Sequence, residues 1–395
     1  NTRALEVIDG DLWAITKTSS STSSSKIHRL DGATNQWMTW SASSVAEIPD
    51  GTGVTIEQCG DVIHFGITGE MWNAEGGIAR YDVLNDEWLD PLESFWRGDV
   101  GPDPGEEGLT WSSVNALACD DEDVLYIGVD ESGYGIQRYD VAEDEWMETL
   151  SSWEHGISES AASNNAMEWA DGTLAIGHFD SMSAGWSEGA FSLISVRGEW
   201  VGAAHISDEG ITSASVTPWP QLPGGSADWL VAQPGASGPG RAKLFNSIGD
   251  SSGLMDSWTG LVDGRARHFA GNATHVYAAL LADEADRTDG AATILEGVQV
   301  GEGDIEWQRS WSLQYASIER LLQLGDDLYV TTRHNGLWRI DLATGEMDAM
   351  PPTAHDSLSM MTVHDGDIIV GFSAVEMAAG LGVFDTAAGN WDDSA

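Results

Sequence analysis

Residues 77–82 are Gly-Ile-Ala-Arg-Tyr-Asp, and Asp-Glu-Trp follows at 86–88. The pattern recurs as Gly-Ile-Gln-Arg-Tyr-Asp at 135–140, again followed by Asp-Glu-Trp, and in a more divergent form as Gly-Leu-Trp-Arg-Ile-Asp at 336–341. Weaker copies occupy 26–31, 190–195, 242–246, 292–297 and 381–385. The chain therefore contains eight copies of one unit.

The residues that close these copies set the repeat length. They are Trp37, Trp88, Trp146, Trp200, Trp258, Trp307, Met347 and Trp391, spaced 40 to 58 residues apart. Short apolar runs separated by Asp or Gly turns precede the copies, as at 114–118 and 124–128. Such runs, rich in β-branched and aromatic residues, predict strands and not helices. Each unit is thus expected to be a four-stranded antiparallel meander.

Repeated four-stranded units of this length predict an all-β fold, the β-propeller. We expect one domain over residues 1–395 with eight blades, and seven blades with 204–264 inserted as loops is the alternative. The first and last units each supply a complete set of strands, so no strand exchange between the termini is expected. The eight blades are expected near 5–40, 54–91, 114–149, 165–203, 211–259, 265–309, 318–350 and 358–393.

The repeat resembles the propeller repeats of bacterial two-component sensor ectodomains, and less closely Kelch repeats and those of quinone-dependent dehydrogenases. The resemblance covers the whole chain. For the sensor family it implies an extracellular, ligand-sensing propeller. For the dehydrogenases it implies a disulfide between adjacent cysteines and a calcium-bound cofactor at the axis, but Cys59 and Cys119 lie sixty residues apart.

The composition excludes some partners. The chain has 64 Asp and Glu against 17 Lys and Arg, giving a formal charge of -47. So acidic a surface would repel a phosphate backbone or an anionic membrane, and no apolar run is long enough to cross a bilayer. Unpaired carboxylates at this density repel one another unless salt screens them. We therefore expect an extracellular or cell-surface protein of a salt-adapted microbe.

Two features bear on processing and redox state. The chain starts at Asn1, not Met, so we expect a mature form or an excised segment. Cys59 and Cys119 hold similar places in adjacent repeats, and a disulfide needs their Cα atoms within about 7 Å. Matched places in neighbouring units usually lie farther apart, so free buried thiols are favoured over a bridge.

Nearly all of the long, irregular loops fall on one predicted face of the ring, the one formed by the second-to-third-strand and blade-to-blade connections. Loops on a rigid scaffold are where binding residues concentrate. The binding-face candidates on these loops are Trp72, Trp96, Arg97, Trp111, Trp153, His178, Trp186, Arg333 and His334.

Other recurrent residues have structural explanations. The Trp residues that close the units are expected to anchor packing between blades. His64, Tyr126, Tyr277 and Tyr329 share the second-strand position of Trp13, so His64 is expected to be a buried, hydrogen-bonded histidine. Arg80, Arg138 and Arg339 recur at one third-strand position, and each is expected to form an ion pair with an acid of the neighbouring blade.

Motifs for known chemistry are missing. There is no G-x-S-x-G, no H-E-x-x-H and no zinc-type spacing of Cys and His. Asp283, Asp286 and Asp289, with Gly290 and Glu296, resemble part of a calcium loop, but Ala285 stands where the first ligand belongs. A solvated acidic loop is the favoured interpretation. We expect no cofactor other than weakly bound calcium.

The leading hypothesis is a non-catalytic structural or recognition module, such as a subunit of a surface layer or filament. Its expected partners are copies of itself, surface proteins and glycans, with no nucleic acid and no membrane insertion. The alternatives are a secreted polysaccharide lyase, which would use His178, Arg333 and His334, and a sensor ectodomain. Asn272 begins the sole N-x-S/T sequon and is a predicted glycosylation site.

Overall fold

A computed structural model gives the fold of the chain. It describes residues 2–17, 25–69, 76–93, 109, 114–129, 136–150, 163–170, 172–179, 190–195, 215–219, 228–233, 241–246, 265–272, 274–281, 291–300, 304–314, 317–353, 357–372 and 380–392. These residues form strands, turns and bends. Within the same ranges there is no helix that could span a membrane.

The first four sheets follow one another along the chain, and each is built from consecutive antiparallel strands. Sheet 1 contains β1 Thr2–Ile8, β2 Asp11–Thr16, β3 Lys26–Asp31 and β4 Gln36–Ser41; sheet 2 contains β5 Thr52–Cys59, β6 Val62–Thr68, β7 Gly77–Asp82 and β8 Glu87–Glu93; sheet 3 contains β9 Val114–Cys119, β10 Val124–Val129, β11 Ile136–Asp140 and β12 Glu145–Leu150; sheet 4 contains β13 Ser163–Ala170, β14 Thr173–Phe179 and β15 Ala190–Ser195.

The second half repeats the arrangement. Sheet 5 contains β16 Ser215–Trp219, β17 Asp228–Gln233 and β18 Arg241–Asn246; sheet 6 contains β19 Arg265–Gly271, β20 His275–Leu281, β21 Ala291–Val300 and β22 Asp304–Gln314; sheet 7 contains β23 Ile318–Leu324, β24 Asp327–Thr332, β25 Leu337–Asp341 and β26 Met347–Ala349; sheet 8 contains β27 Leu358–His364, β28 Asp367–Phe372, β29 Leu381–Asp385 and β30 Asn390–Trp391. Sheets 4 and 5 have three strands each in the described ranges, where the positions of Trp200 and Trp258 are not included.

The sheets close into a ring through their first strands. β1 contacts β5, β5 contacts β9, and so on through β13, β16, β19, β23 and β27, which contacts β1. The first strand of every sheet therefore surrounds a common axis, and we call it the inner strand. This is the β-propeller that the repeats predict, and the sheets are its blades.

The ring closes between sheets 8 and 1 without strand exchange, as predicted, because β1–β4 and β27–β30 form separate sheets. Side-chain hydrogen bonds join the two. Thr2 Oγ1 donates to Gly380 O at 3.2 Å, and Ser359 Oγ donates to Thr2 O at 3.4 Å. His364 Nε2 lies 2.7 Å from Gly10 O.

Aromatic packing between sheets forms the core. Trp13 is 1% exposed and lies against Trp40 of its own sheet and against Phe65 and Tyr81 of sheet 2, with ring centroids 5.1 to 6.0 Å away. Trp88 packs edge-on against Tyr81 at 5.1 Å. The predicted anchoring role holds for Trp88, which also packs edge-on against Trp40 of sheet 1 at 5.6 Å. It is wrong for Trp37, which is 41% exposed and pairs across the strands with Leu30, where Trp88 pairs with the aromatic Tyr81.

Candidate functional site

A cavity of about 270 Å³ lies on the ring axis. Its lining comes from the inner strands of sheets 1, 2, 3, 4, 7 and 8. Seven of the eight inner strands carry a β-bulge at the same repeat position, and the described part of β16 pairs without interruption. The extra residues at these bulges are Arg3, Val54, Asn115, Asn165, Arg267, Glu319 and Ser359. A bulge redirects a side chain, and those of Arg3, Val54 and Asn115 line the cavity.

Two arginines bring positive charge to this cavity. Arg3 is exposed at the bulge of β1, and Arg320 is half-buried next to the bulge of β23. Arg320 is held by its neighbours, since Nη1 donates to Glu319 O at 2.9 Å and Nη2 lies 3.4 Å from Met360 Sδ. Arg267 occupies the bulge of β19, but its side chain is outside the described part. A guanidinium presented from a rigid strand can bind a carboxylate or phosphate.

Three glutamates occupy a second level of the inner strands. Glu6, Glu57 and Glu168 pair across their sheets with Trp13, His64 and Ala175, which are equivalent repeat positions. Partial desolvation by the protein atoms around the channel raises all three pKa values, to about 8 for Glu57 and to about 7 for Glu168, although Glu6 and Glu168 are solvent-exposed and Glu57 is half-buried. Mutual repulsion adds to the effect, because Glu168 and Glu6 raise the pKa of Glu57, and Glu6 raises that of Glu168. The three carboxyl groups therefore share one electrostatic environment across the channel.

Sequence reasoning missed these glutamates because the chain holds 64 acids. A usable signal was nevertheless present. Glu6 and Glu57 stand at the same place before the turn between the first and second strands of their units, and Glu168 does so in the fourth unit. A charge that returns at one inner-strand position is expected to face the axis.

The expectation of free thiols is wrong, because Cys59 and Cys119 form a disulfide with Cα atoms 5.4 Å apart. Matched positions of neighbouring blades approach one another most closely on the inner strands, where both cysteines lie. The Cys119 amide also donates to Glu57 Oε1 at 3.1 Å. The bridge thus joins sheets 2 and 3 next to the channel.

An arginine links sheet 2 to sheet 3 as the sequence predicted. Arg80 Nη1 donates to Asp144 Oδ1 at 2.7 Å and to the Tyr139 hydroxyl at 2.8 Å, and the tyrosine hydroxyl donates to the same carboxylate. Sheet 1 holds sheet 2 in the same way, through Arg29, Tyr81 and Asp86. We call each group of three an Arg-Tyr-Asp latch.

Of the other two arginines, Arg339 differs from the prediction, whereas the prediction for Arg138 stays untested; its contact within its own sheet has a counterpart in the bond from Arg80 Nε to Asp90 O. Arg339 approaches Asp327 and Asp348 of its own sheet, because the next repeat has Phe384 in place of the tyrosine and Gly389 in place of the aspartate. Arg138 Nε donates to Glu148 O, also in its own sheet, at 2.8 Å. The neighbouring turn that it would reach, after β15, lies outside the described residues.

Sheets 6 and 7 are joined by residues that the repeat did not reveal. Arg309 forms an ion pair with buried Glu296 and donates from Nη2 to Leu342 O at 2.7 Å. Trp311 Nε1 donates to Gly345 O at 2.9 Å. Both bonds cross from β22 to the turn before β26, so the outer strand of sheet 6 reaches the next blade.

His64 is buried as expected, but neither ring nitrogen has a partner with good hydrogen-bond geometry, and the nearby Val62 backbone favours the protonated ring only weakly. Burial, followed by the nearby Arg80, lowers its pKa to about 3. A neutral imidazole thus occupies the position that holds Trp or Tyr in sheets 1, 3, 6 and 7.

Few of the predicted binding-face residues lie in the described ranges. Arg333 and His334 are exposed in the loop between β24 and β25. His178 belongs to β14, and its side chain is outside the described part. Outside the described residues altogether lie Trp72, Trp96, Arg97, Trp111, Trp153, Trp186, Asp283, Asp286 and Asp289.

Asn272 lies in the turn between β19 and β20, where the sequence placed it. Its side-chain oxygen accepts from the Thr274 and His275 amides, and its Nδ2 donates to Gln323 Oε1 at 3.0 Å. A glycan at Nδ2 would have to displace that last contact. Glycosylation stays a prediction.

Comparison with solved structures agrees with the ring. NirN, a dihydro-heme d1 dehydrogenase solved with DHE, has a TM-score of 0.63 at 11% identity, over 96% of this chain and 72% of that one. The Dos1 propeller has a TM-score of 0.60 at 10% identity, over 96% and 91%. PorZ, a surface component of the type-IX secretion system of Porphyromonas gingivalis, has a TM-score of 0.54 at 13% identity over 93% of this chain, which spans 44% of PorZ.

No protein-family model matches the sequence, and the search of curated proteins found no match. At these identities the structural neighbours show the fold alone. The chain is a β-propeller with a charged cavity on its axis.

Proposed function

We propose that this protein is a non-catalytic recognition module that binds a small zwitterionic molecule in the axial cavity. The observation that carries the proposal is that positively charged and negatively charged side chains lie at two different levels along the axial cavity. Arg3 and Arg320 line the cavity, and Glu6 lines it together with them. Glu57 and Glu168 lie within electrostatic reach of Glu6.

The spacing of the two levels suits a short molecule. When the repeats are aligned, Arg320 of β23 lies two residues before the position that the three glutamates occupy in their own strands. Two residues span about 7 Å along a strand. Arg3 is three residues before Glu6. A ligand whose carboxylate meets the guanidinium groups would place an ammonium group several ångströms away at the carboxylates. Binding of this kind needs no covalent step.

The ring supplies the rigidity that such a site needs. The disulfide and the Arg80 latch fix sheet 2 against sheet 3, and the Arg29 latch fixes sheet 1 against sheet 2. Charged groups held on rigid strands lose little entropy when a ligand binds.

We also propose that the module works outside the cell or at its surface. The Cys59–Cys119 bridge supports this location, because such bonds persist in oxidising compartments. The charge of -47 supports a saline medium. We further propose three more specific roles: self-association into a surface layer, glycan contacts through the loop face, and a role as a sensor ectodomain. Light scattering in high salt and in calcium tests the first of these.

Isothermal titration calorimetry tests the binding proposal. The ligands are a series of ω-amino acids of increasing chain length, each paired with the carboxylic acid and the amine that lack one charged group. We expect one ω-amino acid length to bind at least tenfold more tightly than either partner. Equal affinity for all three classes, or no binding by any, would contradict the proposal.

A further inference from the structure

A third metal-ligating side chain lies beside the disulfide. The sulfur atoms of Cys59 and Cys119 and a carboxylate oxygen of Asp123 lie within 4.8 Å of one another. Cys59 ends β5 and Cys119 ends β9, whereas Asp123 directly precedes β10. The three groups therefore come from two neighbouring sheets.

The turn holds Asp123 independently of the bridge. Asp120 Oδ1 accepts from the Glu122 and Val124 amides at 2.9 Å, and Asp123 has a positive φ of 61°. Gly60 leaves room for the carboxylate, because a Cβ there would lie 3.3 Å from its carbon. The aspartate is thus positioned against sheet 2 whether or not the sulfur atoms are joined.

We propose that the reduced protein binds one Zn²⁺ through Cys59, Cys119 and Asp123, with water as the fourth ligand. Two thiolates and one carboxylate form a donor set that suits zinc. Metal–ligand distances of about 2.0–2.3 Å place donors roughly 3.5–4 Å apart in a tetrahedron. The three groups lie within 4.8 Å of one another in the oxidised protein, so zinc binding requires the two sulfur atoms to separate. Zinc would then connect sheets 2 and 3 in place of the bridge.

Reduction requires a dithiol. Its thiolate attacks the Sγ of Cys119, which is half-buried, and releases Cys59, which is fully buried, as a thiolate. The second thiol of the reductant then releases Cys119, and the reductant leaves as a cyclic disulfide after giving up two electrons. The cysteines take up two protons, and Zn²⁺ displaces those protons when it binds.

The test uses the full chain, reduced with dithiothreitol and freed of reductant without oxygen. Zn²⁺ is titrated against a chromophoric chelator in molar NaCl with excess Mg²⁺, which occupies ordinary acidic surface sites. We expect one Zn²⁺ per reduced chain and none beyond background for the oxidised chain. Asp123→Asn should weaken binding by about tenfold or more, whereas Glu122→Gln, in the same turn, should leave it unchanged.

Asparagine tolerates a positive φ, so the Asp123→Asn variant is expected to fold. Thermal melting is a second measurement, in which Zn²⁺ should raise the midpoint of the reduced protein and not that of the oxidised protein. Failure of the reduced chain to bind more zinc than the Cys59→Ser, Cys119→Ser double variant would overturn the proposal. Equal affinity of the Asp123→Asn and Glu122→Gln variants would overturn it as well.

Discussion

Arg80 Nη1 lies 2.7 Å from Asp144 Oδ1 across the boundary between sheets 2 and 3. The arginine side chain is 10% exposed and the aspartate 71%, so the pair connects the interior to the turn of the next blade. The hydrogen bonds from Arg80 and Tyr139 lower the pKa of Asp144. Because the same relation joins Arg29 to Asp86, the latch is a repeated device for joining blades.

Removing the latch should destabilise the ring. Arg80→Met leaves the Asp90 carbonyl and the Tyr139 hydroxyl without their donor, at a cost of about 1–3 kcal/mol. In a double-mutant cycle with Asp144→Asn, the coupling energy should be about 0.5–1 kcal/mol, since the aspartate is solvent-exposed. Chemical denaturation measures both values.

Arg339→Met is the matched control, because that arginine makes no contact with the next blade among the described residues. Its cost should be smaller. A coupling energy of zero between Arg80 and Asp144 would show that the latch is only a geometric coincidence.

His64→Phe should stabilise the protein by about 1 kcal/mol, because it removes two buried nitrogens that lack partners. The pKa of His64 is lowered to about 3, so the contribution of this residue to stability becomes increasingly unfavourable as pH falls below the ordinary histidine value of 6.5. The phenylalanine variant should lack that loss. Melting curves from pH 7 to pH 4 check this. Tyr126→Phe is the contrast, since its hydroxyl donates to Asp120 and the variant should be less stable.

Salt should stabilise the whole ring. Carboxylates closer than the Debye length of about 8 Å repel one another at ordinary ionic strength. The melting midpoint is therefore expected to rise from millimolar to molar NaCl, and a flat profile would argue against crowded surface charge as a determinant of stability. If calcium raises the melting midpoint far more than NaCl of equal ionic strength, specific calcium binding contributes to stability, and the predicted candidates for it are Asp283, Asp286 and Asp289.

The repeat predicted the ring because strand alternation and turn residues are local properties. Gly77–Asp82 forms a strand of sheet 2, as its short apolar and aromatic run between turn residues predicted. Its arginine, Arg80, forms the predicted ion pair with an acid of the next blade, Asp144. The prediction that Arg339 forms an ion pair with the next blade was wrong, because such a pair also requires a suitable partner residue in that blade. Comparison of Phe384 with Tyr139 would have revealed the missing hydroxyl.

The cavity and the disulfide were harder to foresee. Both depend on distances between blades, which a linear repeat does not contain. Cys59 and Cys119 are separated by 60 residues, yet curvature of the ring brings their inner strands together. The same curvature brings Glu6, Glu57 and Glu168 to one channel, and only the recurrence of an acid at one inner-strand position distinguishes them from surface acids.

The affinity for a zwitterion should depend on pH through Glu168. Burial and then Glu6 raise the pKa of this carboxyl to about 7, so it is half protonated near neutral pH. A cationic group favours the ionised form, and affinity is therefore expected to rise as pH increases from 6 to 8. Glu6 and Glu57 face the same space and add to this dependence. The Glu168→Gln variant should show a shallower slope in calorimetric titrations.

The most direct test of the axial site is a cycle between one protein charge and one ligand charge. The wild type and Arg320→Gln are each titrated with the best ω-amino acid and with the amine that lacks its carboxylate; Arg333→Gln, on the loop face, is the control. We expect Arg320→Gln to weaken binding of the amino acid at least tenfold and to leave binding of the amine unchanged. An equal loss for both ligands, or no loss for either, would contradict a guanidinium–carboxylate contact in the channel.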